Sequence, residues 1–533
     1  MPPGPFVRRL LTLLSLILAA VMPGGTVAAK DGVLHVALGP APDTIDPHRA
    51  GSVYASAILR ELYEGLATRG PDFTIIPGAA ERWTVSDDGL VWTFTLRADG
   101  RWSDGTPVTA EDFVRSWRRA VDPATRPFFT NLLYAVENAR AITAGTKPPD
   151  SLGVEAVDAR TFRVRLERPD PYLLVNTTHY GTYPVHGPSL AAHGDGFTKP
   201  GNLIGNGAYV LTEALAQTHF KMARNPHFHD AANVAIPEVW FHVVEDQGAQ
   251  VKRYRAGELH VTERIPQAQL DFMRRTLPED VRIHPMVMTR FLQFNLTREP
   301  WGSNPALRRA LALAIDRDVL VKALGGGETP AWGLIPAGLD GYVPARNPDQ
   351  DMTQAARDAE AKRLLAEAGY GPGGKPLRIT LMHTSVESIR QVAVLVSAMW
   401  RQKLGVETVL DNQEFRVTMA RMRSRDYEVF LRGWRSLSPP YGVENFRARD
   451  TGNNPGYADD AFEALMAKAE TALDPAISHD LLRQAELVLA EDAVAIPLFL
   501  DASRRLVSPR VEGWVPNLGE IHPVRFLRLK PEG

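Results

Sequence analysis

Residues 377–431 read LRITLMHTSVESIRQVAVLVSAMWRQKLGVETVLDNQEFRVTMARMRSRDYEVFL. Apolar residues gather over 377–382, 406–410 and 427–431, each about the length of a strand. Between them, 386–403 and 412–423 carry apolar residues at helical spacing, and Gly405 closes the first. Parallel strands cannot be joined by a tight turn and need a crossover, which a helix supplies. The alternation of strand and helix therefore predicts a parallel sheet flanked by helices, an α/β fold.

The same punctuation continues on both sides. Asn304-Pro305 offers a cap and an N1 proline for a helix whose apolar face is Leu307, Leu311 and Ile315. Helices are expected over 353–368, 461–472 and 476–491, and a strand over 495–500. The first third has a different texture. A strand is expected over 33–38, and WTVSDDGLVWTFTL at 83–96 alternates around Asp88-Gly89, the signature of a hairpin. Phe162, Val164 and Leu166 alternate with polar neighbours, so antiparallel pairing is expected there.

WSDGTPVTAEDFV at 102–114 sets Asp104, Glu111 and Asp112 around a Gly-Thr-Pro turn. Three clustered acids suggest a metal site, but local rules account for all of them. Asp104-Gly105-Thr106-Pro107 is turn chemistry. Thr109 and Asp112 have the spacing of a capping box, and acids in a first turn suit the helix dipole. Phe113, Trp117 and Val121 then give the helix one apolar face.

The chain has 533 residues, a formal net charge of -2 and no cysteine. That length implies two or three domains. Its charge balance does not fit a nucleic-acid surface, which needs clustered excess cations; Arg421, Arg423 and Arg425 read as a solvated helix face. Arg8-Arg9, an apolar run over 10–21 and the small residues up to Ala29 describe a secretory signal peptide over 1–29, with the mature start near Lys30. Without cysteine there is no lipid attachment, no disulfide and no thiolate nucleophile.

GYGPGG at 369–374 matches a phosphate-loop pattern, but it follows a helix and opens a strand, the reverse of what phosphate binding needs. His227-Phe228-His229-Asp230 has metal-like spacing without a third or fourth ligand nearby. No G-x-S-x-G and no H-E-x-x-H is present, which disfavours a hydrolase. GWRSLSPP at 433–440 has better context, because ligands in open α/β sheets bind beyond the carboxyl ends of strands. It supplies Gly433, the flat Trp434, the cation Arg435 and the hydroxyl of Ser436: parts for holding a polar ligand rather than for breaking bonds.

Taken in order, the motifs TIDPH (44–48), ELYEGL (61–66), SDDGLVWTFTLR (86–97), WSDGTPVTAEDFVRSWRRAVDP (102–123), GNGAYVL (205–211), RYRAGELHVT (253–262), FNLTREPW (294–301), RRALALAIDR (308–317), NQEF (412–415) and Gly433-Trp434 identify a resemblance. The chain resembles the family-5 extracellular solute-binding proteins, the oligopeptide-binding receptors of ABC importers. The resemblance implies a periplasmic binding protein-like fold of class II, cluster C type: two jaws with an interdomain ligand cleft, plus an extra domain. Domain I would be built from 30–63, 184–286 and 504–533, domain II from 64–183 and domain III from 287–503. It also implies a periplasmic monomer that needs no cofactor and no metal, binds a peptide or peptide-like solute, and serves an inner-membrane ABC permease with its ATPase subunits.

The family's ligand residues carry over unevenly. Val53, in a strand expected after DPH, matches a position offering main-chain bonds. Gly433 and Trp434 match a pocket edge and wall, and Phe415 replaces a pocket Trp. Leu437 stands where peptide-binding members place an Asp that pairs with the ligand's ammonium, and Leu431 stands where an Arg often receives the carboxylate. Arg435 is placed to favour an anionic group, and Glu444 is the candidate replacement acid. The departure at Leu437 raises the alternative of a receptor for a non-peptide or N-blocked solute.

Overall fold

In the computed structural model, residues 32–436, 438–448 and 453–531 are described. Leu437 and the expected signal segment lie outside them. The first sheet orders Val33–Gly39, Glu238–Val243, His219–Arg224 and Tyr209–Leu215, with the first pair parallel and the rest antiparallel. A second sheet, Ala80–Val85, Val91–Leu96, Thr161–Arg165 and Val154–Asp158, is wholly antiparallel and contains the hairpin at Asp88-Gly89. Six strands form the third: Thr329–Pro330, Ala495–Leu506, Val281–Phe294, Val429–Arg435, Arg378–Thr384 and Glu407–Gln413. Its last three are parallel, as the strand–helix alternation predicts, and the rest join antiparallel.

Each sheet buries its own apolar face. Leu34, Leu59 and Tyr209 belong to the first core, Phe94, Phe113 and Trp117 to the second, and Leu311, Trp400 and Val429 to the third. The helix Ala110–Val121 enters through the expected capping box: Asp112 Oδ2 accepts from the Thr109 N–H and from its hydroxyl, both at 2.9 Å. Asp112 is thereby spent on local structure, as is Asp104, whose carboxylate accepts from the Thr106 N–H and hydroxyl.

Two long strands pass between the lobes. Val281 and Ile283 pack with Ala37, Leu270 and Leu506 beside the first sheet, whereas Leu292 and Phe294 of the same strand lie in the third core. Its partner Ala495–Leu506 follows the same path. Their register breaks at the crossing: Pro285 faces Ala502, but Thr289 faces Leu500. The Val287 N–H instead donates to Leu518 O at 2.9 Å, and Val287 O accepts from Ser436 N–H at 2.9 Å. An extra residue or two on one strand bends the pair there.

Two expectations are corrected. The segment after DPH is not a strand: Val53–Leu62 is a helix, opened by Ser52, whose hydroxyl accepts from the Ala55 N–H at 3.1 Å. Ala55, Ile58, Leu59 and Leu62 recur at helical spacing and are all buried, so this period outweighs the strand preference of Val53. The strand expected over 427–431 spans Val429–Arg435, so Gly433, Trp434 and Arg435 are its last residues rather than a following loop. The long antiparallel partner holds them there, pairing Gly433 with Arg290, Trp434 with Thr289 and Arg435 with Met288.

The DPH motif is structural. Arg119 reaches both oxygens of Asp46, at 2.9 and 2.6 Å, and donates to His48 Nδ1 at 2.8 Å. His48 Nε2 donates to Tyr183 O at 3.0 Å, which fixes the neutral tautomer. Burial and then Arg119 push the His48 pKa down to about 4. The folded state therefore rejects a proton that the unfolded chain takes up below about pH 6.5. Stability from this group is complete above that pH and is lost as pH falls toward 4. Urea unfolding at pH 7 and pH 5 should show a loss of about 2 kcal/mol from His48 at pH 5. His48→Gln should make the pH slope shallower by about one proton; an unchanged slope would show that His48 does not titrate this way.

Candidate functional site

Between the lobes lies a cavity of about 320 Å³. The first lobe contributes one face of the Val53–Leu62 helix, with Val53, Ser56 and Arg60 on the wall. The six-stranded sheet contributes Trp434, Arg435 and Ser436 at the end of Val429–Arg435, and Val287 at the break in the crossing strand. Phe128, Phe129, His179 and Tyr180 close one side, and Gly519 and Ile521 of the C-terminal segment close another.

Trp434 is fixed at both ends. Its indole N–H donates to Tyr441 O at 2.8 Å, and its ring stacks on Tyr441 with centroids 5.1 Å apart. Arg432 lies against it, 5.2 Å from the ring centroid. Such a rigid aromatic wall offers apolar area at low entropic cost to a ligand. Arg435 donates from Nη2 to Gly519 O at 2.6 Å. Burial, and next the nearby Arg60, bring its pKa down to about 10, which leaves it cationic at neutral pH. His179 is pushed down to about 3 by burial and then by Arg60 and Arg435, so it presents a neutral imidazole.

The expected site residues fall in different places. Val53, Trp434, Arg435 and Ser436 line the cavity together. Val53 is a rim residue, 55% exposed. Gly433 is not part of the wall: a Cβ there would meet Arg290 Nη1 at 2.6 Å and Met288 Sδ at 3.0 Å, so a larger residue would have to displace those side chains. Glu444 opens onto an adjoining chamber of about 90 Å³ with Asp170 and Glu470; Leu132, Asn176 and Tyr441 are common to both spaces. Phe415 begins the Phe415–Arg423 helix. Leu437 lies outside the described residues.

Sequence patterns missed most of the wall. Arg60 sits in an amphipathic helix, where one cation looks like any solvated residue. Phe128-Phe129 belongs to no periodic segment, although the 61% exposure of Phe128 marks it as unusual. The GYGPGG stretch is a helix stop: Gly369, Gly371 and Gly373 all have positive φ, and Lys375 N–H donates back to Gly369 O. His229 is spent on a hydrogen bond to Glu64, at 2.9 Å, which also receives Arg525 at 2.6 Å. One group of metal-like ligands occurs among the described residues, His284, Glu520 and His522, from distant parts of the chain. Arg505 occupies the same carboxylate at 2.8 Å and an amide N–H of Asn517 faces His522 Nδ1, so the group is built as an ion-pair network.

Two lobes joined by crossing strands around an aromatic and cationic cavity define a solute-binding protein. Residues 74–454 match the family model for bacterial extracellular solute-binding proteins, family 5 Middle, and the chain belongs to that family. This is a family of receptors, so the chain is a binding protein and not an enzyme. It is 35% identical to the periplasmic murein peptide-binding protein MppA of Escherichia coli over 513 residues, covering 95% of each chain. The unliganded open form of MppA superposes with a TM-score of 0.83 at 34% identity, over 95% of this chain and 99% of that one. Haemophilus influenzae OppA in complex with RPPGFSPFR gives 0.78 at 32% identity, over 94% and 99%.

Replacing Trp434 by alanine removes the wall while leaving the strand's backbone pairing. Titration calorimetry should show ligand affinity weakened about thirtyfold, the size expected for a buried aromatic anchor. Unchanged affinity would put the ligand elsewhere.

Proposed function

We propose that this protein captures short peptides in the periplasm and delivers them to an inner-membrane ABC permease with its ATPase subunits. The observation that carries this reading is the cavity enclosed by residues of both lobes, lined by Trp434 and Tyr441 on one side and Phe129 and Tyr180 on the other. Peptide-named relatives over nearly the whole chain, one solved with a nonapeptide, support the ligand class. The helix Val53–Leu62 adds main-chain donors at Val53 and Tyr54, because Ser52 takes only the Ala55 and Ser56 N–H groups of the first turn. Val53, Trp434, Arg435 and Ser436 would contact the ligand directly. Glu444, beside Asp170 and Glu470, would receive the amino end in the adjoining chamber.

The three sheets and their cores support a division at 30–63, 184–286 and 504–533 for the first domain, 64–183 for the second and 287–503 for the third. The protein would act as a monomer after removal of residues 1–29, without a lipid anchor. No helix among the described residues is long and apolar enough to cross a membrane. Domain closure around the ligand would create the surface that the permease reads.

Mass spectrometry of material released by denaturing the purified protein tests the reading. A mixture of short peptides is expected. A single compound without peptide bonds would contradict it.

A further inference from the structure

The cavity's charge is one-sided. Arg60, Arg69 and Arg435 face it, and no carboxylate among the described residues does. Arg69 is neutralised by Asp340 at 2.9 Å. Arg60 and Arg435 have no such partner: among the described residues neither forms an ion pair. Arg60 donates to Ser56 Oγ at 3.2 Å, and Arg435 to a backbone carbonyl. They belong to opposite lobes, Arg60 to the last turn of Val53–Leu62 and Arg435 to the end of Val429–Arg435. Ser436 adds an independent sign. It is 1% exposed, it lines the same cavity, and among the described residues its hydroxyl has no hydrogen-bond partner.

Like charges held in a partly buried space repel each other and lose hydration. An orphaned hydroxyl adds a further cost. All three are relieved by one anion. We propose that the ligand is an acidic peptide, whose side-chain carboxylate bridges Arg60 and Arg435 and accepts from Ser436 Oγ. This rests on the peptide reading above and narrows it. Guanidinium forks suit a carboxylate, which has lone pairs enough for both. Because the two forks come from different lobes, the carboxylate also ties the jaws together. An empty cavity sets cation against cation across the cleft, and an acidic ligand turns that repulsion into attraction. Glu444 of the adjoining chamber supplies the opposite charge for the amino end.

The test is calorimetry on full-length mature protein, stripped of ligand by unfolding and refolding. The probes are trialanine peptides carrying one Glu, or one Gln, at each position in turn. At one position the Glu peptide should bind about thirtyfold more tightly than its Gln twin, as for a charge pair removed from water. In Arg60→Met and in Arg435→Met, each checked by its thermal unfolding curve, that preference should shrink to about threefold or less. The twin comparison in the unaltered protein does not depend on how the variants fold. Equal affinity of every Glu and Gln pair would overturn the acidic-ligand inference and leave the peptide reading standing. Failure of all the peptides to bind would overturn both.

Discussion

The pairing of Val281–Phe294 with Ala495–Leu506 holds the molecule together as a two-lobed object. Both strands begin or end beside the first sheet and run into the third, so the lobes share a hydrogen-bonded ladder rather than a flexible linker. The break opposite Pro285 and Ala502 is where that ladder can bend. Glu520 clamps it from outside: its carboxylate receives the Ser503 hydroxyl and Arg505 from one strand and lies 2.9 Å from His284 Nε2 of the other. Burial opposes the ionisation of Glu520, but Arg505 and the two histidines outweigh it and hold its carboxyl well below the usual range. Its neighbours Gly519 and Ile521 line the cavity, so hinge and ligand space are adjacent by construction.

Charge is used in two ways. Away from the cavity, several buried ions are compensated by opposite charge. Asp46 meets Arg119, Glu64 meets Arg525 and His229, and Arg447 meets Glu463 and Glu470. Such pairs fix the geometry of particular loops and would be costly to break singly. The TIDPH and ELYEGL motifs are made of these residues, which is why they mark the scaffold and not the ligand. At the cavity, Arg60 and Arg435 form no ion pair among the described residues.

Legibility in the sequence followed the range of the interactions. The parallel unit at 377–431, the hairpin at Asp88-Gly89 and the capping box at Thr109 are local patterns, and they appear where expected. Val53 misled because a β-branched residue after a turn resembles a strand, while the helix is declared only by the later spacing of Ala55, Leu59 and Leu62. GWR resembled a loop because its antiparallel partner lies about 140 residues earlier. The cavity wall was legible at Trp434, Arg435 and Ser436 through the resemblance and through the rule that strand ends carry ligands. Arg60, Phe129 and His179 were not, since they converge only once three separate segments have folded.

The central claim is that a peptide lies between the lobes, against Trp434 and between Arg60 and Arg435. A crystal structure of the protein with its co-purified ligand tests this most directly. The account predicts continuous density for an extended peptide in that cavity, with a carboxylate within hydrogen-bonding distance of both guanidiniums. Ligand density outside the interlobe cavity, or a ligand seated there that touches neither arginine, would contradict it.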